Sequence, residues 1–498
     1  MIKRFLNYLM IVAMCVGMAA CGGDEPTPTP TPTPDGGETP TPGGGETPGG
    51  GTSGSVVITI DNTSPVSAKN RVIYEMNVGA FTSAGTLKAA QDKLSDLRTM
   101  GVDIVWLMPI YPRGGGINSP YAATDFKAVN PSYGTVADLK NFVAKAHSLS
   151  MEVWLDWVPN HTATNAKWVS SNPEYYVKSG SNFVHPNNYG DVYQLNYGNA
   201  DLRNAMNDCL KFWIDQADVD GYRCDYISSN AIPASYWKDA IPLIKKYKSG
   251  KNISFLGEAD IVQGQTRLKD VGFDYDYAWG FQGDDLAGFG PSGTNGGTTL
   301  RSKCENFVNV SKSATLGRMV YLTNHDVSYN DGGKNLITLY GANRHPLTVL
   351  EFTIYGMPLL YNGQEIGTTQ TLNYFTDEKV NWTSVDNKMK NTVRTLTALR
   401  HTQAALADNV EPYFHTTDNA FVLAYTKTSG DSRVLVVLNF STSDVNVKLS
   451  GVSAGNYAKW LSSKDISAGV ASKVDTEALS ATPTISLEGK GYAVYVKQ

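Results

Sequence analysis

From about residue 70 to 400, short runs of apolar residues alternate with amphipathic stretches of helical period. The runs Arg71–Met76, Val102–Met108, Met151–Val158, Val219–Asp225, Ser254–Glu258, Gly272–Tyr277, Met319–Asn324 and Met357–Tyr361 predict strands. Between several of them, Ala84–Met100, Val136–Ser150, Leu202–Ala217 and Thr348–Tyr355 predict helices. Strands that are apolar on both faces belong to a parallel sheet covered by helices. Eight such units predict an α/β fold, a (β/α)8 TIM barrel. A doubly wound open sheet is the rival topology, but no Gly-rich phosphate loop follows the first strand. The interval between the third and fourth strands is too long for a plain crossover. Its segment Asn182–Tyr197, rich in Asn, Gly and Tyr, predicts a short inserted domain over about residues 161–200. After about Gln403 the pattern shortens to alternating strands, Phe421–Lys427, Ser432–Phe440, Val445–Leu449 and Gly491–Lys497, broken by Gly, Ser and Asp. This predicts a C-terminal antiparallel β-sandwich over residues 406–498, with the boundary between Ala405 and Pro412.

The N-terminal pattern is different in kind. Lys3 and Arg4 precede the apolar stretch Leu9–Ala20, which is shorter than the ~20 residues of a membrane span. Residues 1–20 therefore predict a cleaved signal peptide. Met18-Ala19-Ala20-Cys21 resembles a bacterial lipobox, which implies lipidation of Cys21. Asp24 and Glu25 just after it resemble the surface-export signal of Bacteroidetes lipoproteins. The implied location is the cell envelope, lipid-anchored to the outer membrane and surface-exposed. Thr-Pro repeats and Gly-rich sequence up to residue 55 have nothing to bury and predict a tether. That leaves residues 56–405 for the barrel.

Composition narrows the chemistry. A net charge of −5 gives no basic face for nucleic acid. Nine Trp and twenty-seven Tyr suit a sugar binder, because pyranose rings present apolar faces to aromatic side chains. Beyond the signal segment and Cys21, the cysteines are Cys209, Cys224 and Cys304, an odd set that forms no disulfide framework. The chain has neither a CxxC pair nor an HExxH helix, so zinc has no ligand pattern.

Polar residues gather at the C-terminal ends of the predicted strands, where barrels keep their sites. They are Asp156-Trp157-Val158-Pro159-Asn160-His161, Gly221-Tyr222-Arg223-Cys224-Asp225, Leu256-Gly257-Glu258 and Leu322-Thr323-Asn324-His325-Asp326. Side chains alternate along a strand, so Arg223 and Asp225 share a face and Cys224 points to the helices. Singly, each group has a structural explanation, such as an Asp capping the next helix. Four such motifs in order, with helix-sized spacers, converge three carboxylates, an arginine and two histidines.

These segments resemble the conserved regions of the α-amylase family, glycoside hydrolase family 13. Ser119-Pro120-Tyr121 through Asp125, Gln194-Leu195-Asn196 and Gly363-Gln364-Glu365 add to the resemblance. It implies that Asp225 is the nucleophile, Glu258 the acid/base and Asp326 the stabiliser of transition-state charge. Arg223 would hold Asp225, His161 and His325 would contact sugar hydroxyls, and Tyr121 would stack beneath the sugar. Asp125 would support the arginine, and Asp156 joins it as a supporting residue. The chemistry needs no cofactor. A structural calcium is the one candidate ion, with Asn160 as its candidate ligand. The implied activity is retaining, endo-type hydrolysis of α-1,4-glucosidic bonds in starch-like α-glucans or maltooligosaccharides. Ser228 and Ser229 stand where many α-amylases have Lys-His. That departure keeps open a neopullulanase-like, cyclomaltodextrinase-like or transglycosylating activity. The remaining alternative is a starch-binding lipoprotein without catalysis.

Overall fold

The computed structural model describes residues 55–57 and 66–498, apart from 263, 315, 330–332, 467, 468 and 470–472. The signal segment and Cys21 lie outside the described residues. Among the described residues no helix is long and apolar enough to cross a membrane.

Eight parallel strands close into a barrel. They are β1 (Ile73–Met76), β2 (Ile104–Leu107), β3 (Glu152–Trp157), β4 (Gly221–Cys224), β5 (Ser254–Gly257), β6 (Tyr275–Tyr277), β7 (Gly317–Val320) and β8 (Met357–Tyr361). β8 pairs with β1, Leu359 against Ile73, and closes the ring. Alternation sorts the side chains. Ile73, Trp106, Trp154, Leu256, Tyr277, Met319 and Leu359 fill the interior, while Tyr74, Val105, Leu155, Tyr222 and Phe255 face the helices. Gly221 opens β4 because a Cβ there would lie 2.7 Å from both the Ser254 carbonyl and the Trp154 ring. The glycine thus lets a large indole fill the barrel floor.

The helices follow their sequence signals. Val136–Ser148 begins at a capping box between Thr135 and Asp138, and buries Leu139, Phe142, Val143 and Ala146 at helical spacing. Ala200–Ala217 starts at Asn199, whose side chain accepts from the Asp201 and Leu202 amides. Between β3 and β4 the inserted segment forms two short antiparallel pairs, His161–Ala163 with Val192–Gln194 and Lys178–Ser179 with Asn182–Phe183.

The C-terminal part is an antiparallel sandwich, a seven-stranded sheet against a three-stranded one. Val437, Val447, Leu449, Tyr457 and Ile485 are among the side chains buried between them. Two expectations need correction. Ser55–Val57 pairs antiparallel with Lys473–Asp475, so residues 56 and 57 belong to the edge of the C-terminal sheet and not to the barrel. The seventh strand was expected over Met319–Asn324, yet the ladder ends at Val320. Beyond it the chain stays buried without pairing, and the Leu322 amide donates to the Glu351 carboxylate at 3.1 Å instead.

Candidate active site

The site grows from the register of the strands. Asp156, Arg223 and Tyr277 project from β3, β4 and β6 into the barrel, and Asp225 and Glu258 are the first residues past β4 and β5. Their amides continue the ladder, Asp225 to the Trp157 carbonyl at 2.8 Å and Glu258 to the Cys224 carbonyl at 2.9 Å. Both carboxylates are therefore aimed by the sheet and not by a loose loop.

Arg223 is the hub. Its guanidinium is fully buried and packs over the rings of Trp106, Tyr277 and Tyr121, at 5.0, 5.6 and 5.7 Å. It lies 3.0 Å from Asp156, 3.1 Å from Asp225 and 3.0 Å from Glu258. Its Nε donates to the Tyr277 hydroxyl at 3.0 Å. One cation thus gathers three carboxylates, two of which keep an opening to solvent, with side-chain exposures of 11% for Asp225 and 16% for Glu258.

The carboxylates are not equivalent. Burial pushes Glu258 up to about 8; Arg223 opposes this, while the charges of Asp225 and Asp326 add to it. The Tyr226 amide fixes its orientation, donating to Oε2 at 2.6 Å. It is the surroundings of Glu258, and not its residue type, that raise it.

Opposite stands a second cluster. His325 stacks on Tyr121 with ring centroids 5.4 Å apart, and its Nε2 is 2.7 Å from the Tyr121 hydroxyl and 3.5 Å from Asp326. Its Nδ1 is bonded to Glu75 of β1, which is wholly buried. Burial alone would lower His325, but Asp326 and Glu75 outweigh it and push it up to about 9. Tyr374, from the segment after β8, packs edge-on against both Tyr121 and His325. His161 lies beyond β3, its pKa lowered by burial with Asp225 opposing.

Asp225, Glu258, Asp326, Arg223, His325, Tyr121 and Asp156 are thereby brought together, with His161 beside Asp225. Asp125 is not among them. It pairs with Lys167 and accepts from the Lys127 amide at 2.9 Å, so it anchors the inserted segment and does not support the arginine. Asp156 supports the arginine instead. Glu75, Tyr277 and Trp106 join the site without having been expected. Glu75 left one legible mark, a carboxylate inside the apolar run of the first strand.

Asn160 was the candidate calcium ligand. Its carbonyl and Oδ1 both accept from the Gln194 side chain, at 2.6 and 3.1 Å, and its Nδ2 faces His161 at 3.1 Å. Each of these oxygens thus accepts one hydrogen bond from Gln194. Among the described residues no group of three or more His, Cys, Asp or Glu side chains gathers to hold a metal ion.

Comparison with known proteins agrees with this geometry. Residues 66–194 match the family described as Alpha amylase, catalytic domain. These residues are similar to an alpha-amylase catalytic domain. Residues 414–470, in the sandwich, match the Maltogenic Amylase, C-terminal domain. Alpha-amylase MalA of Haloarcula japonica is 27% identical over 412 residues, covering 78% of this chain and 58% of that protein. Malto-oligosyltrehalose trehalohydrolase of Saccharolobus solfataricus is 26% identical, covering 64% of this chain and 60% of that one. The chain thus spans 58–60% of the length of these curated relatives. Among solved structures, the noncanonic maltogenic alpha-amylase AmyB from Thermotoga neapolitana superimposes with a TM-score of 0.72. That match is 24% identical and covers 86% of this chain and 99% of AmyB. The alpha-amylase fold therefore extends through both the barrel and the sandwich.

Proposed function

We propose that the chain is a retaining glycoside hydrolase that cleaves α-1,4-glucosidic bonds within starch-like α-glucans or maltooligosaccharides. The observation that carries this reading is the single guanidinium of Arg223 contacting both Asp225 and Glu258. Two carboxyls on one guanidinium favour the short separation of retaining enzymes, about 5–5.5 Å, over the ~6.5–9.5 Å that leaves room for a water in inverting ones.

In the first step an Asp225 oxygen attacks the anomeric carbon. The bond to the bridging oxygen breaks, and the proton of Glu258 goes to that oxygen. In the second step Glu258, now a carboxylate, takes a proton from water, whose oxygen displaces Asp225 from the sugar. Arg223 holds Asp225 in place at 3.1 Å, and Asp326 with His325 grips the sugar hydroxyls as positive charge develops. The proposed steps use only carboxylates and protons.

A second reading is favoured by the maltogenic C-terminal match and by the similarity to a malto-oligosyltrehalose trehalohydrolase. In it the preferred substrate is pullulan, a cyclodextrin or a short oligosaccharide, or sugar replaces water in the second step. A binding protein without catalysis has no need of an intact carboxylate trio. Product analysis on amylose, pullulan and cyclodextrin separates these readings. The α-anomer is expected first, and Glu258→Gln is expected to lower the rate by roughly 10²–10⁴-fold. Release of the β-anomer first, or an unimpaired variant, would overturn the mechanism. Cleavage of pullulan or cyclodextrin alone would transfer the conclusion to the second reading.

Attachment to the outer membrane through Cys21 belongs to the same proposal, since a degradative enzyme meets polymer outside the cell. Radiolabelled palmitate is expected to mark the wild type and to leave Cys21→Ala unlabelled. Equal labelling of both would remove the anchor.

A further inference from the structure

The barrel wall carries a second buried guanidinium, on its outer side. Arg318 of β7 and Asp276 of β6 are register partners. Their neighbours Tyr275, Tyr277 and Met319 fill the barrel interior, so alternation turns Arg318 and Asp276 outward, toward the helices. Phe307 of the helix Gly297–Lys312 lies there, its ring 6.0 Å from the guanidinium. Other strands place Tyr74, Val105, Leu155, Tyr222 and Phe255 on that outer face. Here it holds an ion cluster instead. Arg318 lies 2.6 Å from Asp276 and 2.9 Å from Asp260, the third residue past β5.

Stability is a poor reason for such a cluster, because apolar side chains of similar volume often serve as well or better than a buried ion pair. All three residues are buried, and among the described residues the Arg318 Nε meets no hydrogen-bond partner. Burial pushes Asp276 up to about 7 against the pull of Arg318. What the cluster does hold is the chain that follows Glu258. With one oxygen on Arg318, Asp260 accepts from the Gly280 amide at 2.9 Å with the other. The Ile261 amide donates to Asp276 at 2.8 Å, and the Ala259 carbonyl accepts from the Tyr277 amide at 3.0 Å. Each residue from Ala259 to Ile261 is thus tied to β6 or β7. The Tyr277 carbonyl accepts from Arg318 at 3.1 Å, while its hydroxyl accepts from Arg223.

We propose that Arg318 is a positioning residue for the acid/base: from behind the barrel wall, through Asp260 and Asp276, it fixes the segment that sets where the Glu258 carboxyl stands. The proposal rests on the reading of Glu258 as acid/base. Arg223 and the Tyr226 amide hold that carboxyl from the front, and Arg318 holds its backbone anchor from behind. A misplacement of about 1 Å at a reacting group costs up to ~10²-fold in rate. A side chain that never meets substrate therefore acts on proton transfer through the segment it holds.

The test compares two donors in the full chain. With maltotetraose the leaving oxygen must take the Glu258 proton, whereas α-maltosyl fluoride loses fluoride ion, which needs far less help from an acid. The quantity read is the ratio of kcat/KM for maltotetraose to that for the fluoride, in which any difference in the folded fraction cancels. It is expected to fall about tenfold or more in Asp260→Asn, which keeps only one of the two carboxylate oxygens, and in Arg318→Lys, whose single ammonium replaces a fork. If Arg318→Lys yields no folded protein, the isosteric Asp260→Asn decides alone. Glu258→Gln is the reference, expected to lower the ratio further. A ratio within about twofold of wild type in the two positioning variants, the mark of a merely structural role, would overturn the proposal while the acid/base reading stands. An unchanged ratio in Glu258→Gln would overturn that reading, and the positioning role with it.

Discussion

Glu258 is the residue on which the proposed chemistry is most sharply testable. It must enter the first step with its proton, and burial pushes it up to about 8. Below that pH the acid form dominates. As pH rises through 8 the proton is lost, and kcat/KM is expected to fall by about tenfold per further pH unit. A pH profile on a maltooligosaccharide checks this; a basic limb already falling near pH 5 would place the acid on another group. The sequence displayed this residue well. Asp225, Glu258, Asp326 and Arg223 stand at or just past strand ends, and the two-residue spacing of Arg223 and Asp225 alone puts them on one face. Supporting contacts were less visible, because they join distant segments. Asp125 was read as the arginine's support, but its partner Lys167 comes from 42 residues further along the chain. Glu75 reaches His325 across 250 residues, and nothing local to either announces the other.

At the scale of elements, legibility followed periodicity. Val136–Ser148 and Ala200–Ala217 matched their expected ranges closely because caps and apolar stripes coincide there. The apolar run after β7 reports burial, not hydrogen bonding, and so overstated that strand. Gly455–Ser462 escaped notice for the opposite reason. It runs through the middle of the sandwich sheet, but its register shifts between Lys459 and Leu461, and that irregularity breaks the alternation by which a strand is read. Ser55–Val57 is only three residues long, and its partner lies more than four hundred residues away. No pattern of its own could assign it to the C-terminal sheet. The inserted segment is expected as an excursion, but its contact through Asn187 with the Tyr226 hydroxyl is not.

Barrel and sandwich form one body because their apolar cores are continuous. Val349 and Phe352 of the barrel helix Arg344–Thr353 belong to the same cluster as Tyr425, Val436 and Val494 of the sandwich. Within this junction lies Lys427, fully buried on a sandwich strand, donating to the carbonyls of Ile354 and Ala407 at 3.1 Å each. Burial lowers its pKa well below the usual lysine range, with Arg400 adding to the effect and Asp408 opposing it. Lys427→Met keeps the apolar stem but strands two buried carbonyl oxygens. An unsatisfied buried polar group costs about 1–3 kcal/mol, so the pair amounts to roughly 2–6 kcal/mol, less what the thioether recovers by packing. Urea unfolding, followed by tryptophan fluorescence, is expected to show a lower midpoint. Because the barrel and sandwich share a core, loss of this tie should move a single transition and not create a second. An unchanged midpoint would mean that the carbonyls find other donors. A separate early transition would mean that the junction, and not the continuous core, is what makes the two parts unfold together.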